Sequence, residues 1–202
     1  MDVAVAMVEA YLQVNGYLTV TEYPVLEAIR HGEVRTATDL DVLAFRFARA
    51  GARPRGRQRT VGPVAREPDP VLGVAANCSD MIIGEVKQGA ARLNPAMRDP
   101  AVLAAALVRF GCCEADRAET TVDRLLSSGE ARTHGGHTVR MVAFGSSPSR
   151  RGSSRYRVVG LKHVAGYLRQ YLHEHRAVLS HAQLTQPVLA LFALLEKVER
   201  GR

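Results

Sequence analysis

Apolar and polar positions along this chain switch between two periods, and the switch points mark out its elements. Val3, Val5, Ala6, Val8, Leu12 and Val14 fall close to one helical stripe. Asp2 stands as an N-cap, and Asn15-Gly16 stops the helix. Residues 17–29 alternate Tyr, Thr and Val around Pro24, which predicts an edge strand or a bulged one, because proline brings no N–H to a ladder. HGEVRTA at 31–37 reads as a turn-rich connection. TDLDVLAFRF at 38–47 alternates again, with Asp39, Asp41, Leu43, Phe45 and Phe47 on one face and Leu40, Val42, Ala44 and Arg46 on the other. MIIGEVKQG at 81–89 is a short apolar run that ends in charge. On a strand it puts Met81, Ile83, Glu85 and Lys87 on one face.

The second half reads mostly as helix. DPAVLAAALVRFG at 99–111 opens on an Asp-Pro start and closes on glycine, and EADRAETTVDRLLSSG at 114–129 is a second helical segment. ARTHGGHTVRMVAFGS then reads as a hairpin turning at Gly135-Gly136. Helix, helix, hairpin is the order of a winged-helix module, so residues 99–146 are expected as an inserted helical or winged-helix-like lobe, or as helical decoration of the sheet. YRVVGL at 156–161 predicts a strand. HVAGYLRQYLHEH at 163–175 predicts an amphipathic helix with Val164, Tyr167, Leu168, Tyr171 and Leu172 on its stripe, and QLTQPVLALFALLEKV at 183–198 predicts a strongly apolar last helix containing Pro187. His173 and His175 lie two apart and diverge on a helix, so they are not expected to ligate together. The whole pattern is α/β.

Length suits one domain over residues 1–202. No apolar run approaches the ~20 residues of a membrane span, and the N-terminus lacks the basic opening of a secretory signal. Cys78, Cys112 and Cys113 give no disulfide framework and no zinc spacing, which fits a reducing cytoplasm. The formal charge is +7, and arginine greatly outnumbers lysine. Guanidinium groups grip phosphate bidentately, so a polyanionic partner is favoured. Arg49, Arg53, Arg55, Arg57 and Arg59 crowd the Gly- and Pro-containing stretch 49–60, which reads as a basic arm able to contact nucleic-acid phosphates.

The chemistry concentrates at the two charged strands. A carboxylate and an ammonium on so apolar a run need a partner or a role, because unpaired buried charge is costly. Asp41 on the preceding strand can bring a second carboxylate close to Glu85, and two carboxylates suffice for Mg²⁺, which prefers hard oxygens and keeps several waters. Asp39, nearer the strand entry, is the poorer ligand. Lys87, ~7 Å beyond Glu85 on the same face, is placed to orient a water and to stabilise charge on a phosphate. Glu9 lies on or beside the first helical stripe as a third acid, and Glu22 and Glu27 are more distant candidates.

Asp41, followed across a loop by Glu85, Val86, Lys87 and Gln88, resembles the signature of the PD-(D/E)xK, or restriction-endonuclease-like, nucleases, although no Pro-Asp pair precedes Asp41. The resemblance covers roughly residues 1–98 and a later sheet element. It implies a mixed central sheet flanked by helices and a Mg²⁺-dependent nuclease, with Mn²⁺ as a substitute metal. DNA is the implied substrate, RNA the alternative polymer, and a homodimer suits two-strand cleavage. Asp41 and Glu85 would hold the metal, with Glu9 as a weaker third ligand. Lys87 would be the catalytic lysine, and Gln88 would help hold water or phosphate. Repair, restriction or defence are the implied settings. The competing reading is a non-catalytic nucleic-acid-binding protein that uses the arginine arm and the 99–146 segment.

Overall fold

A mixed six-stranded sheet with helices on both faces frames the charged side chains. The computed structural model describes residues 2–28, 33–50, 67–75, 77–147, 155–180 and 184–201. In chain order these form α1 (Val3–Val14), β1 (Leu18–Ala28), β2 (Val34–Arg46), β3 (Asp80–Ala90), α2 (Pro100–Arg109), α3 (Ala118–Ser128), β4 (Glu130–Arg132), β5 (Thr138–Ser147), β6 (Arg157–Gly160), α4 (Leu161–Glu174), α5 (Arg176–Leu179) and α6 (Pro187–Glu199). Strands β1, β2 and β3 make an antiparallel meander. β3 then pairs parallel with β5. Parallel neighbours need a crossover, and α2 and α3 provide it. β4 and β6 share the other edge of β5, β4 against Thr138–Arg140 and β6 against Val142–Gly145.

Strand alternation divides the apolar side chains into two cores. Val42, Ala44, Ile82, Val86, Val142 and Phe144 face α1, α4 and α6. Leu43, Met81, Ile83, Met141 and Ala143 face α2 and α3. Helix α1 buries Val5, Val8, Tyr11 and Leu12, and its cap is as expected: the Ala4 N–H donates to Asp2 Oδ1 at 2.6 Å. Val3, assigned to the stripe by periodicity, faces solvent. No helix among the described residues is long and apolar enough to cross a membrane. All three cysteines are free.

Several expectations shift. β1 is an edge strand, and its register slips between Val25 and Leu26, next to Pro24, so edge and bulge both occur. β2 begins at Val34, inside the stretch expected as a connection, because Val34–Thr36 still pairs with Leu26–Ala28. The last helix contains Pro187, as expected, and begins on it. The Gln186 side chain accepts the Leu189 N–H at 2.9 Å, and a proline at the first helical position sacrifices no bond. Residues 99–146 hold α2, α3, β4 and nearly all of β5. Their last strand, β5, is a central strand of the common sheet, and α2 and α3 pack on that sheet.

Candidate active site

The β2–β3 ladder runs from Arg46 opposite Asp80 to Val42 opposite Gly84, and stops there. A side chain at Gly84 would collide with the Val42 side chain, so only glycine allows the strands to close at this last rung. One residue further on, β2 carries Asp41 and β3 carries Glu85. The ladder gives way to a side chain: the Val86 N–H donates to Asp41 Oδ2 at 2.7 Å. The carboxylate is thus fixed through Oδ2 by the neighbouring strand's backbone.

Glu85 is 1% exposed. Lys87 Nζ makes a close ion pair with Glu85 Oε1 and lies 3.9 Å from Asp41 Oδ2, so one ammonium is shared between two carboxylates. Glu85 Oε2 is buried and has no hydrogen-bond partner. Burial first, and then the nearby Asp41 charge, raises the Glu85 carboxyl above its ordinary range, with Lys87 and, less strongly, the Asn94 backbone N–H opposing both. A half-satisfied buried carboxylate costs stability that a ligand would relieve.

The remaining residues singled out in the sequence lie elsewhere. Glu9 Oε1 accepts from Thr19 Oγ1 at 3.1 Å. It sits on the α1 side of the sheet, opposite the face of Glu85, because α1 packs on the other core. Gln88 also points to that side, where its amide donates to Asp2 Oδ2 at 3.0 Å at the start of α1. Neither is brought to the Asp41–Glu85–Lys87 group: Glu9 rides on a helix packed against the far face, and the strand period turns Gln88 away from Lys87. Glu27 pairs with Arg35 (2.7 Å), and Glu22 and Asp39 are exposed. Arg49 is exposed just beyond β2. Arg53, Arg55, Arg57 and Arg59 lie outside the described residues.

Two charged networks escape the sequence reading. Asp80, at the start of β3, accepts from Tyr17 Oη (2.5 Å), Arg140 Nε (2.8 Å) and Arg140 Nη2 (2.5 Å), and all three residues are buried. Arg140 also donates to the Leu72 carbonyl. Asp69 accepts from Tyr11 Oη (2.9 Å) and the Val71 N–H (3.0 Å), and lies 2.6 Å from His163 Nε2. Burial alone would raise the Asp69 carboxyl; the bonds from His163, Val71 and Tyr11 outweigh it and hold the group below its usual range. The signal for the first network was present: Arg140 is a lone cation inside the apolar run TVRMVAF, which demands a buried anion.

The donor set at Asp41 and Glu85 is all carboxylate oxygen, one of them buried and unpartnered, and this suits a hard divalent cation that completes its shell with water and phosphate oxygens. Two carboxylates meet here rather than three; among the described residues no group of three or more acidic, histidine or cysteine side chains is positioned to hold a metal ion. Comparison of the chain with protein-family models, curated proteins and solved structures yields no match.

Proposed function

We propose that this protein is a metal-dependent nuclease of the PD-(D/E)xK kind that hydrolyses DNA phosphodiester bonds. The observation that carries the reading is Glu85, a buried carboxylate with one oxygen unpartnered, facing Asp41 across the splayed end of two strands with Lys87 between them. The element order, one helix, a three-stranded meander, crossover helices and a parallel strand, supports it.

Asp41 and Glu85 would hold Mg²⁺, which when bound neutralises charge on the scissile phosphate and acidifies water. The chain's own groups do the rest. The Val86 N–H keeps the Asp41 carboxylate aimed across the strands. Lys87 has three ammonium protons, and Glu85 takes one, so the others can orient the attacking water and meet the negative charge that grows on the phosphoryl oxygens. Burial of Glu85 keeps these interactions in a low-dielectric setting, where they count for more than in water.

The test is metal-dependent cleavage of single-stranded, duplex and branched DNA. Cleavage by the wild-type chain with Mg²⁺ or Mn²⁺ is expected, with a loss of about 10²–10³-fold in Lys87→Ala and a comparable or larger loss in Asp41→Ala. Absence of wild-type cleavage on every substrate with both metals overturns the reading. Full activity in Lys87→Ala overturns the site.

A further inference from the structure

A positively charged site lies away from the carboxylate pair. A recess of about 470 Å³ opens between α3 and the turn joining β4 to β5. Arg117 precedes α3, Arg124 lies on the helix seven residues later, and Arg132 closes β4, so three separate positions deliver guanidinium groups to one hollow. All three are exposed. None pairs with a carboxylate among the described residues, whereas Arg35, Arg140 and Arg200 do. One acid, Asp116, shares the rim, and the Thr120 hydroxyl and the His134 imidazole add further polar groups. Converging cations with one carboxylate among them repel one another, and an anion with several oxygens relieves the repulsion.

The recess also has a fixed relation to the carboxylate pair. α3 buries Val122 and Leu125 in the core shared with Met81 and Ile83, the face on which Glu85 lies. Along β5, Thr138 stands opposite Asp80 and Ala143 opposite Glu85. That places the two sites about 17 Å apart along the strand direction, or about five phosphates along one nucleic-acid strand. We infer that the recess between α3 and the β4–β5 turn binds phosphodiester groups of the DNA strand remote from the bond to be cut. This inference rests on the nuclease reading and adds a binding surface to it.

The test uses the full chain carrying Lys87→Ala, so that DNA is bound without being cut. Binding to a fluorescent duplex is measured by anisotropy between about 50 and 200 mM salt. Arg117→Gln/Arg124→Gln is compared with Arg176→Gln/Arg200→Gln, which removes the same charge from the opposite side of the sheet. The recess variant should lose about ten-fold or more in affinity and flatten the salt slope by about 1–2, while the control changes little and thermal unfolding shows both folded. Equal behaviour of the two variants overturns the recess and leaves the nuclease reading standing if the wild-type chain cleaves. A parental chain that binds no DNA even at low salt overturns the recess too. If the wild-type chain also fails to cleave, the nuclease reading falls with it.

Discussion

Strand β3 carries two buried carboxylates, one at its start and one at its middle, and the two are treated in opposite ways. Asp80 is closed: a bidentate guanidinium and a phenol saturate it, and Arg140 spends a further donor on a backbone carbonyl. Glu85 is more open: one oxygen takes Lys87, the other makes no hydrogen bond among the described residues, and the Asn94 backbone N–H is the smallest influence on the carboxyl. The first lies on the α1 side of the sheet and the second on the α2–α3 side. Burial alone therefore does not mark a functional charge in this protein; incomplete satisfaction does. A closed network contributes only to the fold. An open one carries a cost in the folded state that a ligand can relieve.

Breaking the closed network should have the largest effect on stability. Arg140→Ala strands Asp80 in the core and is expected to destabilise by about 3–5 kcal/mol in chemical denaturation. Tyr17→Phe removes one bond to a charged oxygen, and a loss of about 1.5–3 kcal/mol is expected by the same measurement. The smallest and most telling change is Glu85→Gln. A carboxyl whose proton affinity is raised by folding makes the folded state lose stability as pH rises, because the native chain binds more protons than the unfolded one. The variant lacks that titration. It should therefore be more stable than wild type at neutral and alkaline pH, by about 1 kcal/mol or about 2–4 °C, and the gap should close as pH falls through the raised carboxyl value. An equal gap at every pH would show that Glu85 is as well satisfied as Asp80 and would remove the contrast.

Much of this was legible in the chain. Alternation in 38–47 and 81–89 puts Asp41 and Glu85 on strands, and the strand period puts Lys87 on the same face as Glu85. The pairing of those strands, which brings Asp41 to Lys87, is that of two successive strands separated by a long stretch of chain. What was not legible depends on long-range placement. Glu9 lies near the apolar stripe of α1, but the face of the sheet that α1 covers is decided by core packing, and it covers the face away from Glu85. The hairpin beyond α3 looks local in sequence; its second strand enters the sheet centre only because β3 offers a parallel edge, a partner more than 50 residues away. Asp80 stands just ahead of the apolar run 81–89 with no local mark of its role, since its partners Tyr17 and Arg140 come from either half of the chain.

The bond from Val86 to Asp41 has a spectroscopic consequence. A backbone amide that donates to a carboxylate, not to a peptide carbonyl, senses the charge on that carboxylate directly. The Val86 amide resonance is thus a built-in reporter of Asp41: neutralising that side chain, or drawing it onto a cation, alters this proton's shift and its exchange with solvent. An isotope-labelled sample titrated with Mg²⁺ or Ca²⁺ would register occupancy at the strand fork in the absence of any substrate.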